Sequence, residues 1–426
     1  MHAPRTPSPR ARASSRNATR ATLLILLATA AALCALLSAA GARPAAATAP
    51  SALAPEPPQT GLVDVTPSGG SAFNGTYRPA SITPDGRYVV FSSSSPDLVA
   101  NDTNGDFFDS LSGFDVFVRD RRAGRTTLVS VSADGAASGD GPSALAAVTP
   151  DGRYVAFLST ARNLVSPDPG GGNFTNVYLR DLSANKTVLV SQTPAGRRGN
   201  FDSAISGSLG DVPNLFISDD GRYVSFVSSS SDLVAGDTNS RRDAFVRDVQ
   251  AGVTRLVSVN QAGTGPGDGE TSYAVMTPDG RFVAFRSEAR DLTPKVTGPG
   301  TQIYLRDMQA GTTRLVSANR FDGAAGNGSA DARFMGDLDV SADGRYVAFV
   351  SGANDLVAGD ANGSDSDFSQ DVFVRDTVAG TTVAASANRN GTGTGAGHSG
   401  ALSMTPDGRY VAFVSTAGDL VANDSN

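Results

Sequence analysis

Tryptophan is absent from this 426-residue chain, and cysteine occurs once, at Cys34. A single thiol excludes an internal disulfide and a thiolate metal cage. Histidine occurs twice, at His2 and His398. With one histidine in the body of the chain, neither a multi-histidine zinc centre nor a Ser-His-acid triad away from His398 can be assembled. Lysine is confined to Lys186 and Lys295, and glutamate to Glu56, Glu270 and Glu288, so arginine and aspartate carry the charge. The bias towards arginine and alanine fits a GC-rich bacterial genome. The formal net charge of −7 argues against nucleic acid and anionic membrane surfaces as partners. The missing tryptophan removes a common stacking platform of carbohydrate sites, although nine tyrosines remain.

Acidic residues are also missing from the first 42 positions, where Arg5, Arg10, Arg12, Arg16 and Arg20 precede the apolar run "ATLLILLATAAALCALLSAA" (21–40). A basic n-region, an apolar core and small residues around Ala40 and Ala42 read as a Sec-type export signal. No adjacent arginine pair marks the twin-arginine route. The bland alternative is an uncleaved membrane anchor, since twenty apolar residues can span a bilayer. Cys34 lies inside this segment behind Leu33, where a lipoprotein signal carries a small residue. Removing the five arginines leaves 30 basic against 42 acidic residues, a net charge of −12. Residues 43–60, "RPAAATAPSALAPEPPQT", form a Pro/Ala linker.

What is abundant is one eleven-residue stretch. "TPDGRYVVFSS" (83–93), "TPDGRYVAFLS" (149–159) and "TPDGRYVAFVS" (405–415) are near copies, with "SDDGRYVSFVS" (218–228), "TPDGRFVAFRS" (277–287) and "SADGRYVAFVS" (341–351) close behind. The turn aspartates Asp85, Asp151, Asp220, Asp279, Asp343 and Asp407 are 66, 69, 59, 64 and 64 residues apart. Internal repetition takes precedence over length in judging architecture. Each period carries four runs rich in Val, Phe, Tyr, Leu and Thr; in the third these are "NLFIS", "RYVSFVS", "DAFVRD" and "TRLVSV". Such runs predict strands. In Thr-Pro-Asp-Gly, proline presets φ, aspartate caps the turn and glycine supplies the left-handed position. A second turn, "VQAG" or "RRAG", joins the last two strands.

Strands such as "YVAFV" do not alternate polar with apolar residues, which places both faces in a core. Four-stranded antiparallel units buried on both faces predict β-propeller blades. A β-sandwich array and a linear solenoid are the competing folds. The "DGRY" strand occurs six times and the outer "LVS"-type strand six times, the first being "LVDV" (62–65). The "VFVRD" strand occurs five times. The expected architecture is therefore all-β: a propeller over 61–426 with six four-stranded blades of about 64 residues. Its last blade is incomplete and closed by the N-terminal strand, as in a truncated fragment. A natural five-bladed ring with frayed ends is the alternative.

"TPDGRYVAFVS…DVFVRD…AGTT…LVS" resembles the WD40-like (PD40) repeat of TolB-like bacterial propellers, which runs from a Pro-Asp-Gly turn through the same strand order. The resemblance covers about 61–426. It implies the fold strongly and the function weakly, because a common fold hosts many functions. The repeat here is longer than a TolB-like blade, with the extra residues in two loops per blade, so a TolB-like partner does not follow.

In a four-stranded meander the tight turns share one end and the long loops the other, which places function on the long-loop face. Three of those loops, "LVANDTNGDFFDSLSGFD" (98–115), "LVAGDTNSRRD" ending at Asp243, and "LVAGDANGSDSDFSQD" (356–371), carry Asp-x-Asn and a further Asp at the next strand. Asp102, Asn104 and Asp115, then Asp237, Asn239 and Asp243, then Asp360, Asn362 and Asp371 are the candidate metal ligands. Alternating oxygen donors in a glycine-containing loop suit Ca²⁺. Asx turns without a metal explain the same residues. The loops of repeats two and four, "LVSPDPGGGNFTN" and "LTPKVTGPGTQ", lack the pattern.

The Gly-rich inter-blade loops lack the strand–loop–helix context of a phosphate-binding loop and read as spacers. "GHSGA" (397–401) is similar to a nucleophile elbow, but it aligns with "GDGPSA" and "GNGSADA", so Ser399 is not expected to be catalytic. Arg87, Arg153, Arg222, Arg281, Arg345 and Arg409 recur after every turn, and Arg-Asp closes every third strand. Ion pairs or turn braces between blades are the expected role; a channel-lining arginine ring binding anions is the sharper alternative. The expectation overall is a secreted or envelope-located, monomeric, non-enzymatic binding module. An unidentified protein or envelope ligand would dock on its long-loop face, with no cofactor other than Ca²⁺. The alternatives are the propeller part of a prolyl-oligopeptidase-like hydrolase and a calcium-stabilised structural protein.

Overall fold

The computed structural model describes residues 60–73, 80–104, 113–203, 215–296, 300–330, 337–360 and 370–423. The expected export segment 1–42, the expected linker up to residue 59 and Asn362 lie outside the described residues. Leu62–Asn426 forms one compact unit, and among its described residues every regular element is a strand.

Blade one comprises β1 (Ser81–Ile82), β2 (Tyr88–Ser93), β3 (Asp115–Asp120) and β4 (Arg125–Leu128). Blade two is β5 (Ser143–Val148), β6 (Tyr154–Ser159), β7 (Asn176–Asp181) and β8 (Lys186–Leu189). Blade three is β9 (Leu215–Ile217), β10 (Tyr223–Ser228), β11 (Asp243–Asp248) and β12 (Val253–Leu256). Blade four is β13 (Thr271–Met276), β14 (Phe282–Ser287), β15 (Gln302–Asp307) and β16 (Thr312–Leu315). Blade five is β17 (Leu338–Val340), β18 (Tyr346–Ser351), β19 (Asp371–Asp376) and β20 (Thr381–Ala384), and blade six is the pair β21 (Ser399–Met404) and β22 (Val411–Ser415). Each blade is an antiparallel meander in chain order.

The repeated turn folds as its chemistry dictates. In blade one the Gly86 N–H donates to the Thr83 carbonyl at 2.8 Å, closing the turn. The Asp85 carboxylate accepts the Thr83 hydroxyl at 2.6 Å and the Arg87 N–H at 3.0 Å. Gly86 sits at φ +68°, a conformation other residues adopt only at a cost.

The unbroken apolar strands are explained by burial on both faces. In β6, Val155 and Phe157 pack with Val90, Val116 and Val118 of blade one. The alternate residues Ala156 and Leu158 pack with Leu215, Val224 and Phe226 of blade three. The same two-sided packing repeats from blade to blade. The tight turn takes part: a Cβ built on Gly221 would fall on the ring of Tyr154 in the preceding blade, and the pairs Gly152–Tyr88, Gly280–Tyr223, Gly344–Phe282 and Gly408–Tyr346 repeat that contact.

Among the described residues blade six has two strands. Among the described residues β22 is hydrogen-bonded to β21 alone, and Tyr410 and Val414 are 61% and 66% exposed. The N-terminal strand 62–65 does not pair with it. A fourth strand bonds to a third, and the described part of blade six ends at its second strand. Instead, Val65 bridges Ser71 in a small hairpin, and Val63 and Ala72 pack on Phe91, Leu98 and Phe117 of blade one. The equivalent hairpin after each outer strand packs on the following blade in the same way: Asp140 N–H donates to Asn163 Oδ1 at 3.0 Å between blades one and two.

Candidate functional site

Each third strand begins at the end of a long loop with a residue whose side chain turns inward. Asp115, Asn176, Asp243, Gln302 and Asp371 hold this position, and all are buried. A serine of the "LVS" outer strand meets each one. Ser130 Oγ donates to Asp115 Oδ1 at 2.5 Å, Ser258 Oγ to Asp243 Oδ1 at 2.6 Å and Ser386 Oγ to Asp371 Oδ1 at 2.7 Å. In the two loops without Asp-x-Asn, Ser191 Oγ donates to Asn176 Oδ1 at 3.0 Å and Ser317 Oγ to Gln302 Oε1 at 2.7 Å. The same hydroxyl accepts the next backbone N–H, as at Ala244 (3.1 Å). Sequence reasoning missed these serines. Their invariance in the outer strand, opposite an Asp, Asn or Gln, was the available signal.

The Asp-x-Asn residues converge on this position. Asn104 and Asn239 each donate from Nδ2 to a carbonyl of the inter-blade loop, Gly139 O and Gly267 O, both at 2.9 Å. Asn104 Oδ1 accepts Ser138 Oγ at 2.8 Å, and Asn239 Oδ1 accepts the Arg241 N–H at 2.9 Å. The asparagines therefore tie the long loop to the next loop, and the aspartates supply the remaining oxygens. Asp102, Asp115, Asp237, Asp243 and Asp371 are all buried, and Asp360 Oδ1 accepts Thr394 Oγ1 at 3.0 Å. Burial pushes the Asp115 carboxyl up to about 8 and that of Asp243 up to about 7, against the opposing serine hydrogen bonds and with a further push from Asp102 and Asp237 respectively. Burial raises Asp237 as well, partly offset by the Asn239 N–H. No hydrogen bond of ordinary geometry reaches either Asp237 oxygen or Asp243 Oδ2.

The recurrent arginines have a different task from the one expected. Arg87, Arg153, Arg222, Arg281 and Arg345 pair with Asp120, Asp181, Asp248, Asp307 and Asp376 at 2.7 to 2.9 Å. Each pair lies within one blade, because the register sets the start of the second strand against the end of the third; Tyr223 faces Asp248, for example. The guanidinium also lies over the neighbouring ring, 4.6 Å from the centroid of Tyr88 in blade one. The arginine of each Arg-Asp pair reaches the outer strand instead, with Arg247 Nη1 donating to Thr254 Oγ1 at 3.0 Å. These five arginines are intrablade braces, and among the described residues none of them pairs with a carboxylate of another blade.

Ser399 is fully buried, and its Oγ is 2.9 Å from Ser415 Oγ. Ser143–Ser159 (2.8 Å), Ser203–Ser228 (2.9 Å) and Thr271–Ser287 (3.2 Å) repeat that pair in other blades. The hydroxyl pair thus recurs in four blades beside the second strand, and the elbow-like "GHSGA" is packing. Asp337 and Asp339 of blade five are also occupied, accepting the N–H groups of Ala401 and Met404 in blade six, both at 2.8 Å.

No family model matches the chain, and no curated protein matches it. Similar solved structures include TolB from Acinetobacter baumannii, 19% identical with a TM-score of 0.35, covering 70% of this chain and 53% of that one. The β-propeller domain of the Trilobed protease from Pyrococcus furiosus is 9% identical (TM-score 0.38), with 72% of this chain and 69% of that one covered. Porphyromonas gingivalis dipeptidyl peptidase 4 is 16% identical (TM-score 0.37), with 78% and 48% covered. The chain thus spans about half the length of the Acinetobacter protein. The repeat motif and the chain-order meanders decide the architecture. The fold is a β-propeller. Within this propeller the repeat-wide polar groups brace the blades, and the long loops hold the chemistry that varies between them.

Proposed function

We propose that this propeller is an exported, non-catalytic binding module that works in the cell envelope or outside the cell, with its partner docking on the long-loop face. The observation that carries this reading is how the polar residues are used. Turn aspartates, brace arginines, outer-strand serines and the Ser399–Ser415 pair are engaged in holding blades together. The side chains that differ between blades lie in the long loops, where recognition residues are concentrated when a rigid scaffold presents them. Two of them, Phe174 and Phe201, stack at 5.3 Å across the two long loops of blade two, and Phe201 is 54% exposed.

The test uses the full chain produced in a bacterial host with its leader intact. A photo-crosslinking residue is placed at Phe201 on the long-loop face, and in a second variant at Val378 on the tight-turn face, which is also exposed. Export into the periplasm or medium, one recurrent adduct from Phe201 and none from Val378 are expected. Cytoplasmic retention, or equal adducts from both faces, contradicts the reading. A fluorophosphonate probe that labels a serine of the chain would replace it with the hydrolase alternative.

A further inference from the structure

The five long loops of blades one to five make an internal comparison. At the position of Asp237 in "LVAGD", blade two carries Asp168 and blade four Val296. At the strand position of Asp243, they carry Asn176 and Gln302. A third position faces these two from the hairpin that follows the outer strand. It is set by the bridges Val131–Ser138, Gln192–Arg198, Val259–Pro266, Ala318–Ala325 and Ala387–Thr394. In blade two it is Arg198, 3% exposed, with Nη2 2.7 Å from Asp168 Oδ1.

Blades two, three and four differ in charge at these positions, and blades one and five carry two acids as blade three does, with Ser138 and Thr394 at the third position. Blade two has one acid and a buried guanidinium against it. Blade four has no acid at either position, and the Gln302 amide fills the space, with Nε2 3.3 Å from Gly328 O. Blade three has two acids, Asp237 at 7% and Asp243 at 0% exposure, and Pro266 where the arginine would stand. Neither acid of blade three forms an ion pair; Arg242 pairs with Glu270 at 3.1 Å, and Arg241 acts on Asp243 only through space. Both Asp237 oxygens and Asp243 Oδ2 are buried and reached by no hydrogen bond of ordinary geometry; burial raises both carboxyls, and Asn239 is the one residue that lowers both. Buried carboxylates are paired, protonated or bound to metal, because desolvating a lone charge is prohibitive.

We propose that Asp237 and Asp243 hold a divalent cation, Ca²⁺, which takes in blade three the place that the Arg198 guanidinium takes in blade two. All the donors are oxygens, and hard cations with six to eight oxygen ligands match that set; a zinc or copper site would call for nitrogen or sulfur. Asn239 is a positioning residue, since its amide is spent on Gly267 O. A cation here would fix the long loop of blade three to the loop leading into blade four. The inference is independent of which partner the long-loop face binds.

The test is calcium binding to the chelator-stripped full chain, measured by titration calorimetry with CaCl₂, together with thermal unfolding in EGTA and in Ca²⁺. The wild type is expected to bind Ca²⁺ and unfold at a higher temperature with it. Asp237→Asn should lose one equivalent of Ca²⁺, or weaken it at least about tenfold. Pro266→Arg installs the blade-two solution. It should lose the same equivalent yet unfold in EGTA no earlier than the wild type. A stripped wild type that takes up no Ca²⁺, or an Asp237→Asn chain binding as many equivalents as the wild type, overturns the proposal. If Pro266→Arg or Asp237→Asn does not fold, Asp243→Asn decides by the same count of equivalents, since blade two folds with Asn176 there.

Discussion

Replacing Gly221 by alanine separates two costs that the repeated turn combines. Gly221 sits at φ +71°, so an alanine there pays roughly 1–2 kcal/mol for the left-handed backbone. Its Cβ would also fall on the Tyr154 ring of the blade before it, and overpacking of that kind costs about 1–3 kcal/mol more. Gly86 occupies the same turn in blade one at φ +68°, but its nearest neighbour is Arg121 Nη1 at 3.5 Å. Gly86→Ala should therefore cost only the backbone share. Urea midpoints followed by circular dichroism measure both, with Gly263→Ala (φ +70°, nothing within 4 Å) as the backbone-only control. The expected order is Gly221→Ala at about 2–5 kcal/mol and the other two at about 1–2. Tyr154→Ala in the Gly221→Ala background should recover the packing share, because the two residues are in contact. If Gly86→Ala is as damaging as Gly221→Ala, then Gly86 meets the Tyr410 ring across a closed junction, and the open blade six described above is refuted.

Three further outcomes follow from the same contacts. Ser258→Ala strands both Asp243 Oδ1 and the Ala244 N–H, which should cost about 2–5 kcal/mol; Ser317→Ala, whose side-chain partner Gln302 is neutral, should cost less, and equal midpoints would remove the charge argument. Tyr304 donates its buried hydroxyl to the Ala289 carbonyl at 2.7 Å, and blades one, three and five have Phe117, Phe245 and Phe373 at that point, so Tyr304→Phe should cost only about 1 kcal/mol in the same assay. Hydrogen bonds from Arg87 and Arg345 hold Asp120 and Asp376 down at about 2; a depressed carboxyl stabilises above its unfolded value near 4 and loses that contribution as pH falls through about 2. The midpoint difference between the wild type and Arg345→Gln, present at pH 6, should therefore vanish near pH 2, and a difference that persists there contradicts the brace.

How much of this was legible in the sequence depended on whether a feature was local. The turn, the four strands and burial on both faces could be read from "TPDGRYVAF", because proline, aspartate and glycine fix the backbone within four residues and "YVAFV" has no polar face. The partners of Arg87 and of Asp115 could not. Both are set by cross-strand register, which pairs Tyr88 with Asp120 and brings β4 alongside β3, and a periodic pattern does not state register. Ring closure depends on register too: "LVDV" has the composition of a fourth strand, which bonds only where a third strand stands beside it. The comparison of Arg198 with Pro266 was hidden because the two hairpins differ in length. Gln192 pairs with Arg198 and Val259 with Pro266, so the equivalence is spatial and no fixed offset along the chain finds it.

A propeller repeats one scaffold, so any polar group present in every blade can be assigned to that scaffold, and a group that changes from blade to blade needs its own reason. Between blades two and three the loop acid is kept, as Asp168 and Asp237, while the other two positions change together: Asn176 with Arg198 in one, Asp243 with Pro266 in the other. Where an arginine stands against the loop acid the strand-start residue is Asn176, where a proline stands there it is Asp243, and blade four, with no loop acid, has Gln302. If the buried acids of blade three were simply protonated, Asp243→Asn would leave calcium uptake and the response to chelator unchanged, because an amide replaces a neutral acid with almost the same shape. If they hold a cation, the same substitution removes a ligand and one equivalent of calcium. The single atom exchanged at that side chain thus separates a neutral acid pair from a metal centre.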